Sequence, residues 1–300
     1  MAELMIALVL SMLIVLGTTS LLVNGKAIQS MQFDVASTEE SAQFALNNIA
    51  RSVRQAGFIN FDRADAPIIT TDTMSPAITG LDNATLTATT PGIESPSKST
   101  DNASDVLAIR FYGSGDGKAD NSILNCGGFG IAAPTSQSAA EMQRGWSIYY
   151  VARDARNQPN LYCKFKNNSF TAQPIAQGVE SFQVLYGIET GSAPENRSRQ
   201  FLSASELNAM DARLPALEIN KLTNWKRVTA VKIALMIRGT TKEIGASNRA
   251  IFHLFGEDYS NTKGDQDQGT KILASDIPID LKGNTRKIVG TTIQLRNSGR

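Results

Sequence analysis

Apolar positions fall into three successive patterns along this chain. The first is a continuous run from Leu4 to Val23, with seven Leu, two Ile and three Val, preceded by one carboxylate at Glu3. Twenty helical residues rise about 30 Å, one hydrocarbon thickness. Together the twelve aliphatic side chains favour insertion by about 4–7 kcal/mol. Residues 1–24 are therefore predicted to form a membrane-spanning helix with everything after it outside the bilayer.

The second pattern covers residues 25–57. After Asn24-Gly25-Lys26, apolar residues recur at helical spacing: Ile28, Met31, Val35, Ala42, Leu46, Ile49, Val53 and Ala56. The opposite face carries Gln29, Asp34, Glu39, Glu40, Asn47, Arg51 and Arg54. Gly57 is a natural stop, and the two arginines suit the negative end of the helix dipole. Before Pro67 no proline interrupts the run, so one helix is expected from Ala2 to Ala56, about 80 Å long, with a bend or melted turn near Gly17 or Gly25. A cleavable signal peptide is the competing reading, with Leu4–Leu16 as its core. Against it, Glu3 stands where such peptides carry Lys or Arg, and the amphipathic helix follows directly.

The third pattern occupies residues 58–300. Thr, Ser, Pro and Asn dominate 58–104, which predicts loops with a short strand or two. From Asp105, strand patterns follow at 106–112, 146–152, 161–165, 179–188, 228–238, 250–255 and 287–295. In the longest, Val231, Ile233, Leu235 and Ile237 share one face, and Lys232, Met236 and Arg238 the other. The fold class expected is α+β: a long N-terminal helix packed by its second half on a C-terminal antiparallel β-rich domain.

Charge and composition narrow the function. Lys and Arg number 29 against 28 Asp and Glu, a net charge of +1, which gives no reason to expect nucleic acid as a major partner. Only 19% of residues are charged, a polar but uncharged character suited to an extracytoplasmic domain. Two cysteines, Cys126 and Cys163, predict a disulfide if the domain is exported. With the single His253 they cannot supply a four-ligand zinc set. Within 113–120, Asp116 and Asp120 are weak cation ligands at most: no glutamate closes the loop at EF-hand spacing, and a plain turn fits better. His253 reads as a strand residue, and 258–267, with Asp265 and Asp267, as a solvated polar loop. No nucleophile motif, phosphate loop or HExxH occurs. The chain is read as a non-enzyme, with no cofactor and no small-molecule substrate.

The N-terminal residues, Ala2-Glu3-Leu4-Met5-Ile6-Ala7-Leu8-Val9-Leu10, resemble the start of type IV pilin-like proteins, an apolar stretch with one early glutamate. Ser41–Leu46 and Arg51–Phe58 are similar to the PilW group of minor pilins. So are Ser104–Leu107, Asn160–Cys163, Gln177–Gly187, Trp225–Val228 and Ile293–Asn297. The resemblance implies the pilin fold and a part in pilus assembly, in a priming or tip complex. It implies other minor pilins and the major pilin as partners. It also implies storage in the inner membrane, a periplasmic domain and an extracellular place in the filament. Glu3 matches the glutamate held to pair with a neighbour's N-terminal amine; an interfacial residue without a role is the simpler alternative. The family's mature chains begin with phenylalanine after a basic leader ending in glycine. The resemblance thus implies a start upstream of Met1. A type II secretion pseudopilin and a tip adhesin are the competing functions.

Overall fold

A computed structural model describes residues 2–60, 71–190, 198–242, 250–279 and 281–297. Helix α1 spans Ala2–Gln55 without interruption, so no turn is melted at Gly17 or Gly25. Neither glycine has anything packed against it. The helix ends where Gly57 takes a φ of +66°, with the Asn297 side chain donating to the Ala56 carbonyl at 3.1 Å.

Five strands form one antiparallel sheet: β1 (Ile78–Leu81), β4 (Val106–Phe111), β5 (Gly145–Arg153), β6 (Pro159–Lys166) and β7 (Phe170–Gln177), in that order. Between β1 and β4 lies a small ribbon of β2 (Ala84–Thr85) and β3 (Ser97–Lys98). The short helix α2 (Ala140–Gln143) precedes β5. The second sheet has the order β13–β10–β8–β9, built from β8 (Val179–Thr190), β9 (Ser198–Leu202), β10 (Val228–Lys242) and β13 (Asn284–Gln294). Helices α3 (Ala204–Asp211) and α4 (Ile219–Leu222) fill the connection from β9 to β10. A ribbon of β11 (Ile251–His253) and β12 (Lys271–Leu273), with α5 (Glu257–Lys263) between them, precedes β13.

The chain passes from the first sheet to the second at Gly178, the one residue between β7 and β8. Its φ of +71° is left-handed, and a Cβ there would lie 2.8 Å from the Arg238 carbonyl oxygen. The second half of α1 sits against both sheets. Its Ala42, Ala45, Ile49 and Val53 are fully buried beside Ile109, Tyr149, Phe182 and Val231. Each buried Ile or Val contributes about 1.5–3 kcal/mol. Tyr149 fixes the register by donating to Asn48 Oδ1 at 2.6 Å, with Ser52 Oγ 2.7 Å away.

Two of these patterns change, and one gains a partner. The apolar stripe of α1 is covered only from Ala42 onward; Ile28, Met31 and Val35 are exposed, because the sheets begin beyond them. Met236, on the second face of β10, is fully buried, since the β11–β12 ribbon packs there with Leu254 and Ile272. The 258–267 stretch is not a solvated loop. Its first part is α5, and Asp267 is buried, accepting from the Tyr259 hydroxyl at 2.8 Å.

Candidate assembly surface

The first half of α1 touches nothing. From Leu4 to Val23 every side chain is exposed, and the most apolar 18-residue stretch has a mean hydropathy of 2.5, long and apolar enough to cross a membrane. Such a face must be covered by lipid or by protein. Three of its hydroxyls pair within the helix. Ser11 donates to the Leu8 carbonyl at 2.9 Å, Thr18 to Ile14 at 3.0 Å, and Thr19 to Val15 at 2.8 Å. Hydroxyls paired within the helix suit an apolar medium, where an unsatisfied donor costs several kcal/mol. Glu3 is the exception, a carboxylate in the first turn and the only ionisable residue before Lys26.

Between the bare half and the buried half lies a junction that the helical pattern did not reveal. Asp34, on the face opposite the apolar stripe, reaches the end of β10. It accepts from the backbone N–H of Thr240 at 2.7 Å and of Thr241 at 3.0 Å. It also accepts from the hydroxyls of Thr240, at 2.6 Å, of Thr241, and of Thr285, at 3.2 Å. Burial pushes this carboxyl up, but the hydrogen bonds from Thr240 and Thr241 outweigh it and hold the group well below the usual carboxylate range. Gly239 makes the approach possible: a Cβ there would lie 2.3 Å from Asp34 Oδ2. One turn on, Glu39 pairs with Lys287 of β13. Asp34 and Thr240 are 206 positions apart, so no local pattern could have joined them.

At the other end of the buried half, Cys126 and Cys163 form a disulfide with a Cα–Cα distance of 6.0 Å. It ties the long loop after β4 to β6. Asn48 donates to the Cys126 carbonyl at 3.2 Å, so the same loop is held to α1. Asp120 accepts from Ser114 and Ser122, closing a polar turn on itself, and Asp116 is exposed nearby. Among the described residues no three acidic, cysteine or histidine side chains are grouped to hold a metal ion. His253 lies in β11, and Asp265 is exposed beyond α5.

A family model described as type IV pilus-assembly protein W, PilW, matches residues 148–297. The match runs from inside β5 to the residue that caps α1. A type IV-like pilin from Thermus thermophilus is similar at 13% identity, over 87% of this chain and 98% of that one, with a TM-score of 0.40. No curated protein matches the chain. The family model takes in half of the 300 residues, including all of the second sheet, and the chain belongs to the PilW family of type IV pilus-assembly proteins.

Proposed function

We propose that this protein is a minor pilin that enters a priming or tip complex through the exposed half of α1. The observation that carries the reading is a helix with two fates, bare and apolar from Leu4 to Val23 and buried between two sheets from Ala42 onward. In the inner membrane the bare half is covered by lipid, and the β-rich domain lies in the periplasm. On assembly the same surface exchanges lipid for the helices of the major pilin and other minor pilins, and the Ser11, Thr18 and Thr19 hydroxyls stay paired inside the helix. Glu3 is the assembly contact: in a dry bundle it pairs with a neighbour's amine, and removing one member of such a pair costs about 3–5 kcal/mol. The role is structural, without catalysis or cofactor.

Glu3→Ala tests this directly. The expected outcome is a normally folded domain with pili lost or greatly reduced, scored by electron microscopy and by co-purification of other minor pilins. Wild-type numbers of pili and an intact minor-pilin complex in this variant would overturn the assembly role of Glu3.

A further inference from the structure

The domain's far pole, about 75 Å along α1 from Glu3, carries two adjoining cavities that the helix-mediated reading does not use. One, of about 340 Å3, has a largely apolar lining that includes Ile59, Met74, Tyr112 and Trp225. The other, of about 570 Å3, lies between Arg51, Arg54 and Arg296 over Phe58 and Ile123. Asn297 lines both.

Among the described residues the charge that lines them is mostly positive. Among the described residues no carboxylate lines the larger cavity, and Arg51, Arg54 and Arg296 have no acidic partner within ion-pair distance. Among the described residues the smaller cavity is lined by Arg144, Lys221 and Lys226 against a single acid, Asp72. Behind it, Arg110 and Arg144 share one carboxylate, Glu141, leaving a net positive charge. Arg144 is 4% exposed, and its Nε is buried without a hydrogen-bond partner. A buried, under-compensated guanidinium beside an apolar cavity favours an anionic group entering from outside. Beside Lys221, the turn through α4 exposes Leu217, Ile219 and Leu222.

We propose that this pole is a docking surface for an acidic protein segment that inserts an apolar side chain. The apolar side chain enters the Trp225 cavity, and flanking carboxylates meet Arg144, Arg54 and Arg296. Arginine and aromatic residues around a cavity are the composition of interface hot spots. That the partner is a pilus subunit rests on the minor-pilin reading; the surface and its chemistry do not.

The test uses the full chain in detergent micelles and fluorescence anisotropy of a labelled peptide, Asp-Glu-Leu-Phe-Glu-Asp. The expected result is saturable binding that weakens at least tenfold in R51E/R54E/R296E and at least fivefold with Ser in place of Leu-Phe. Added salt should weaken it further, and the lysine-substituted peptide should not bind. Lys221→Glu, on an exposed side chain, is the second variant should the triple one misfold, with a smaller loss expected. Absence of binding at millimolar peptide, binding indifferent to both variants, or tighter binding of an oligothymidylate of equal charge would each overturn the proposal. The Glu3→Ala experiment reads only the other end of the molecule, so either result stands without the other.

Discussion

The two halves of α1 have similar helical geometry and opposite surroundings. From Leu4 to Val23 large aliphatic side chains are exposed on all sides, and from Ala42 to Ala56 small and medium ones are buried against two sheets. The difference lies in side-chain size as much as in polarity. Ala42, Ala45, Ala50 and Ala56 let the sheets approach the helix closely, whereas a helix that is apolar all round presents no preferred face. Helical periodicity alone therefore locates an inward face only in the second half, and the exposed Ile28, Met31 and Val35 mark where that face loses its partner.

Truncating the buried half should have the largest effect. Ile49→Ala, at a fully buried site facing both sheets, is expected to destabilise the domain by about 2–5 kcal/mol. Leu10→Ala should leave the same unfolding midpoint unchanged, because Leu10 touches nothing in the folded chain. Denaturant unfolding followed by the fluorescence of Trp146 and Trp225 measures both, and equal losses would break the comparison.

The junction comes next. Asp34→Ala removes a carboxylate that accepts from two backbone N–H groups and three hydroxyls, with an expected loss of about 1.5–3 kcal/mol. Hydrogen exchange should rise first at Thr240 and Thr241 and along residues 34–41, while the Ile49 region keeps its protection. The sign with pH follows from the lowered pKa: this stabilisation is present above the unfolded value near 4 and is lost on acidification below it.

A third effect, seen only in the pH profile, runs the other way. Burial, with Asp82 and Glu206 nearby, raises Asp267 to about 7, against the hydrogen bond from Tyr259. A raised pKa means stability that is complete below the unfolded value near 4 and declines as pH rises through 7. Melting temperature should thus fall between pH 5 and pH 8, and Asp267→Asn should flatten that slope. The helicity of residues 4–23 should not follow it.

Much of this architecture could be read from residue order. The period of α1, the alternation in β8 and the two faces of β10 are local patterns, and each marks a real element. Less visible was β7, whose Pro174 argues against a strand; as a sheet edge, β7 tolerates a residue that cannot donate. Helix α5 was hidden because Glu257-Asp258-Tyr259-Ser260-Asn261-Thr262-Lys263 has weak helix propensity and is held by Tyr259 packed edge-on against Phe255 and by the Ser260 hydroxyl donating to the Thr270 carbonyl at 3.3 Å. The Asp34 junction and the paired cavities at the far pole depend on residues far apart in the chain, so neither has a signature in any short stretch.

The Asp34 contact has a mechanical consequence. Any axial pull on the N-terminal half of α1 reaches the domain first at residue 34. There a cluster of short hydrogen bonds joins the helix to the end of β10, with β13 attached through Thr285 and Lys287. These bonds load together rather than one after another, and they stand ahead of the alanine-lined core in the line of force. The carboxylate thus acts as a strain relief, sparing the helix–sheet interface from peeling when the helix is towed.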